Sequence, residues 1–140
     1  MKTVFLILFL GFTLLFGQNN SVEKKIYTHI LYSIYPHKAG IKVWSDDKHK
    51  QNLLLSIPKV QFVTDPQKAD FLIVQHNKNI QPKGVIFVTD YHLLQHYKNQ
   101  AIGGFYWQKG RPNILFLRKN LQKHHIKLPK DMQEYIEDTL

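Results

Sequence analysis

The sequence predicts a three-layer α/β sandwich on a mainly parallel central sheet, with a C-terminal antiparallel hairpin. Residues 71–74 and 84–89 are continuous apolar runs of strand length, which suit strands buried on both faces of a parallel sheet. Helical spacings are interleaved with strand-like segments, the order expected when helices cover both sheet faces. Near the C-terminus, 102–107 and 113–117 read as strands separated by the Gly-containing gap 108–112, which is a hairpin signal.

The elements follow in chain order. Residues 1–17 have the layout of a secretory signal: Lys2 gives a positive start, 4–16 are uncharged and strongly apolar, and polar chain begins at Gln18. The run is shorter than the ~20 apolar residues of a membrane span. Cleavage is expected after the small residue Gly17, with an uncleaved membrane anchor as the alternative. Residues 18–21 read as a flexible lead to one domain over 22–140. Val22, Ile26, Ile30 and Ile34 recur every fourth residue, with Leu31 beside them. They form one face of a helix over 22–35, capped by Ser21 and closed by Pro36. Residues 41–44 form a short strand, and Ser45, Asp46 and Asp47 suit a turn and the start of a helix reaching Leu55. Residues 60–64 alternate and are β-branched, so they read as a strand broken by Asp65-Pro66. Asp90 caps a helix over 91–97. After the hairpin come a helix over 118–125 and a last one from Pro129 to 138. Gly103-Gly104, inside a strand pattern, marks a bulge or a close backbone approach.

A chain of this size buries a core without staples, and with no cysteine it must do so. A disulfide scaffold and thiolate zinc sites are thereby excluded. Lys and Arg number 19 against 10 Asp and Glu. Export argues against nucleic acid as the reason for that charge, and the lysines scatter along the chain. They read as a solvated basic surface, with an anionic membrane face or an acidic partner patch as the functional alternatives.

Catalytic patterns are not evident in the sequence. None of the serines sits in a Gly-x-Ser-x-Gly elbow, and no glycine-rich phosphate loop occurs. The chain is therefore expected to be non-catalytic and to need no cofactor. Polar residues at the ends of expected parallel strands, where α/β sheets place ligands, are Ser45, Asp46, Gln75, His76, Thr89 and Asp90. His92 and His96 share a helix face and are a feasible two-ligand metal pair, with no sequence-local third ligand. Phe105 and Trp107 share one face of a strand opposite Tyr106, and Arg111 falls in the expected loop. Aromatic and arginine side chains are favoured interface anchors, so Phe105, Trp107 and Arg111 form the expected partner-binding surface.

Residues 69–136 resemble the YfiR-like periplasmic proteins, with weaker agreement over 27–44. The matching parts are Ala69-Asp70-Phe71-Leu72-Ile73-Val74, the strand ending in a Thr-Asp turn at 84–90, and Ile102-Gly103-Gly104-Phe105 followed by Arg111-Pro112-Asn113-Ile114-Leu115-Phe116. Leu121, Ile126-Lys127-Leu128 and the final segment resemble the family's closing pattern. Characterised members carry cysteines that this chain lacks, which removes disulfide-based redox control here. The resemblance implies a periplasmic α/β domain shaped like half of a solute-binding protein. In the family, such a domain binds the periplasmic part of a membrane diguanylate cyclase and represses it. The expectation is thus a periplasmic regulatory or interaction domain whose partner is the periplasmic domain of an inner-membrane protein. The alternative is a periplasmic small-molecule binding protein using the strand-end residues.

Overall fold

A computed structural model describes residues 20–140. The expected export segment 1–17 and its cleavage point lie outside the described residues. No helix among the described residues is long and apolar enough to cross a membrane. The chain folds as helix α1 (20–34), β1 (Ile41–Ser45), α2 (Lys48–Leu55), β2 (Val60–Phe62), β3 (Phe71–Val74), β4 (Val85–Val88) and α3 (Tyr91–His96). It continues through β5 (Gly103–Gln108), β6 (Arg111–Leu117), α4 (Arg118–Lys123) and β7 (Ile136–Glu137). The strands make one seven-stranded sheet in the order β2-β1-β3-β4-β5-β6-β7. Every pairing is parallel except β5 with β6. This is the mixed α/β architecture expected from the sequence.

The apolar runs lie at the middle of the sheet for a physical reason. Every residue of β3 and β4 is buried, because alternate side chains enter opposite cores. On one face Phe71 and Phe87 join Tyr27, Ile30 and Leu31 of α1, Leu54 of α2, and Phe116 of β6. The Phe87 ring lies 5.4 Å from Phe71, 5.9 Å from Phe116 and 6.2 Å from Tyr27. On the other face Leu72, Val74, Ile86 and Val88 pack under Leu93 and Leu94 of α3, Tyr97 and Ile80.

Several boundaries differ from the sequence reading. Helix α1 already includes Asn20 and Ser21, so residues 20–21 are not a flexible lead and Ser21 is not the cap. Its buried face is also rotated: Glu23, Tyr27, Ile30 and Leu31 are buried, whereas Val22 is exposed. The Tyr27 ring packs edge-on against Phe87 and Phe105 of the sheet, and the Glu23 charge finds Lys50 as its partner inside. β2 is shorter than expected because Asp65 caps a 3-10 turn at Pro66–Lys68, accepting from the Gln67 N–H. α4 stops at Lys123 because His125 adopts a left-handed φ of 55° and the Ile126 N–H returns to the Leu121 carbonyl, a Schellman-type end.

The expected last helix is instead a 3-10 segment, Lys130–Tyr135, followed by edge strand β7. Ile136 pairs with Phe116 and packs against the core, so the chain reaches the end of β6 by turning into a strand. The hairpin turn is tighter than the expected gap. Lys109 and Gly110 have φ of 51° and 74°, as a two-residue type I′ turn requires, and Gln108 and Arg111 pair with each other. The Gly103-Gly104 pair makes a close approach with unbroken register, not a bulge: a Cβ at Gly103 would strike the Leu115 carbonyl.

Candidate functional site

Strand order reverses direction between β1 and β3, since β1 connects through α2 to β2 on one side and β3 lies on the other. In open α/β sheets such a switch point opens a crevice at the C-terminal strand ends. Ser45, Asp46, Gln75 and His76 do meet there. Their polar groups, however, hold the chain together. The Asp46 carboxylate accepts from the backbone N–H groups of Gln75 at 2.8 Å, His76 at 2.9 Å and Asn77 at 2.7 Å. Asp47 caps α2 by accepting from the Lys50 N–H at 3.0 Å, and its other oxygen lies 3.3 Å from His76 Nε2. Ser45 is buried, and its Oγ accepts from the Asp47 N–H. Asp90 caps α3 through the Leu93 N–H at 2.8 Å. Thr89 lies beside it at the end of β4 and donates its N–H to the Val74 carbonyl. The six residues are brought to one end of the sheet, but Asp46 and Asp90 act as acceptors for the chain's own amides.

The loop after β3 is pinned from the other side as well. Tyr97 donates its hydroxyl to the Asn77 carbonyl and accepts from the Ile80 N–H. His96 Nε2 lies 2.6 Å from the Lys78 carbonyl, so that nitrogen carries the proton and donates. A protonated nitrogen has no lone pair for a metal, which withdraws the Nε2 of His96 from the feasible pair with His92. Among the described residues no three His, Asp or Glu side chains converge.

A buried ionic pair that the sequence reading missed lies behind the switch point. Glu23 of α1 and Lys50 of α2 are both buried and hydrogen-bonded to each other. Burial pushes the Lys50 ammonium down to about 8, because leaving water disfavours its charged form. The ammonium also lies 5.7 Å from the Tyr27 ring centre. Burial, and then the nearby Asp47 charge, push the Tyr27 hydroxyl well above the ordinary tyrosine range. The pair locks the first turn of α1 to the helix that follows β1. The available signal was Glu23 falling four residues before Tyr27 on the same helix face.

The hairpin presents a different surface. Gly103 and Gly104 pair with Phe87 and Val88, and the β4–β5 register ends there. Phe116 and Leu117 pair with β7, and that register ends too. Between these limits 105–108 and 111–114 pair with one another as a two-stranded ribbon. Phe105 is 2% exposed and packs edge-on against Tyr27 at 5.3 Å, so it is core and cannot be a direct partner contact. Trp107 is half-buried, 5.8 Å from Phe105, and Arg111 is exposed as the first residue of β6. On the opposite face Tyr106 meets Tyr91 edge-on at 6.1 Å, and Tyr91 is 40% exposed. Tyr91 and Tyr106 are interface-type residues that the sequence reading left out.

No protein-family model matches the chain, and no curated protein shows a significant sequence match. Among solved structures it is similar to a conserved domain protein from Vibrio cholerae O1 biovar eltor str. N16961, with a TM-score of 0.57 and 11% identity. The likeness covers 84% of this chain and 60% of that protein, so it spans less than two thirds of the neighbour's length. At that identity the likeness is one of fold: a mixed α/β chain around a mainly parallel sheet.

Proposed function

We propose that the protein is an exported, non-catalytic regulatory domain that docks its β5–β6 ribbon on the extracytoplasmic part of an inner-membrane protein. The observation that carries this reading is the ribbon itself. It extends past both neighbouring strands and displays Trp107, Tyr106 and Arg111 on a rigid, paired backbone. Such a ribbon presents aromatic and arginine anchors at low entropic cost. The resemblance to YfiR-like proteins makes a membrane diguanylate cyclase the specific partner we propose, repressed by a shift in its conformational equilibrium. A small-molecule role has less support, because Asp46 and Asp90 already accept hydrogen bonds from the chain's own backbone. The test is an affinity pull-down after in-cell crosslinking, comparing the wild type with Trp107→Ala/Arg111→Glu. The proposal expects an inner-membrane protein recovered with the wild type and lost with the variant. Equal recovery with both would overturn it.

A further inference from the structure

The positive charge of this chain is concentrated in one part of it. Residues 91–130 contain eight Lys or Arg and no Asp or Glu, whereas the remaining hundred residues hold eleven basic and ten acidic side chains. Folding gathers part of that excess at the end of the sheet opposite the hairpin tip. Two grooves of about 580 and 480 Å³ adjoin there and share Asn99. Lys98 and Lys119 line the first, and Lys123 and His124 line the second. The second groove has no acidic lining residue. In the first, the Asp138 carboxylate is 2.7 Å from Arg118 Nε and so already has a cation.

From this we infer a second docking site, which receives an acidic segment of a partner protein. The amide side chains between the lysines favour a peptide. Gln95, Asn99 and Gln100 each offer a donor and an acceptor, the pattern that a peptide backbone matches. No Phe, Tyr or Trp lines either groove, so the large stacking platform of a single-stranded nucleic-acid site is missing; His124 is the one aromatic ring there. The cations line concavities, which a flat bilayer surface touches only at the rim. Burial, with the charges of Lys123 and His125, holds the His124 ring below the ordinary histidine range, in keeping with a positive field there.

The experiment uses the purified protein and a fluorescein-labelled Glu-Ser repeat peptide, followed by fluorescence anisotropy. A Gln-Ser repeat is the uncharged control. Phosphatidylglycerol vesicles and a single-stranded DNA oligonucleotide are the competing arms. The inference expects saturable, salt-sensitive binding of the acidic peptide, weakened roughly tenfold by Lys98→Glu/Lys119→Glu. Both lysines are exposed, so that variant keeps its fold. Lys48→Glu/Lys68→Glu, two exposed lysines outside both grooves, is expected to leave the affinity within about twofold. Proton NMR supplies a second readout: bound carboxylates raise the His124 ring value by offsetting its cationic neighbours. The inference is overturned by no peptide binding, by equal affinity of wild type and Lys98→Glu/Lys119→Glu, or by tighter binding of the vesicles or the DNA.

Discussion

The switch-point strand ends and the β5–β6 ribbon stand at the same end of one sheet and treat their polar groups in opposite ways. Around β1 and β3, Asp46 and Asp47 bind backbone amides of their own chain, and behind them Lys50 binds Glu23. In the ribbon, Arg111 is exposed and Tyr106 and Trp107 keep part of their surface in water. The lesson concerns what a carboxylate at a strand end is for. Loops after parallel strands leave N–H groups without sheet partners, and a buried amide left unsatisfied is costly. Asp46 answers that need before any ligand does.

The largest effect is expected at the buried pair. Lys50→Met leaves the Glu23 carboxylate buried without its cation and is expected to cost about 3–5 kcal/mol in urea unfolding. Adding Glu23→Gln should restore much of that loss. Asp46→Ala removes the acceptor of three N–H groups; a loss of about 2 kcal/mol is expected. Hydrogen exchange at the amides of Gln75, His76 and Asn77 should quicken, while that of Phe105 stays slow. A ligand site, in contrast, would tolerate Asp46→Ala with little change in stability. Arg111→Ala should fall within about 0.5 kcal/mol of wild type, as an exposed ribbon position predicts.

The smallest expected effect is on pH dependence. The His124 ring is held below its ordinary value, so as pH falls through and below about 6.5 the unfolded chain takes up this proton before the folded one. Stability attributable to this group is therefore full above that value and declines on acidification. His124→Gln should flatten the decline of Tm with falling pH, and an unchanged slope would assign it elsewhere.

Much of this fold was legible because its signals are local. Phe71–Val74 and Val85–Val88 read as buried strands from continuous apolar sequence, Asp90 read as a cap, and Ser45–Asp47 read as a turn and helix start within which Asp47 proves to be the cap. The less legible features depend on long-range partners. Glu23 is buried because Lys50, 27 residues away, meets it, and that pairing turns the face of α1. β7 exists because Phe116 offers it a backbone edge. Phe105 alternates with Tyr106 as any strand residue would, and only the position of Tyr27 assigns it to the core. The basic excess of 91–130 was present in the sequence, but lysines spaced along the chain form a surface only when α3 and α4 bring Lys98 and Lys119 to one groove.

The ribbon, and not the switch point, is the surface we propose for the membrane partner. Its most direct test places a photo-crosslinking residue at Arg111 and, separately, at Lys48 in the first turn of α2, both exposed. A defined covalent adduct with an inner-membrane protein is expected from position 111 and none from position 48. The same adduct from position 48 with none from position 111 would contradict the proposal.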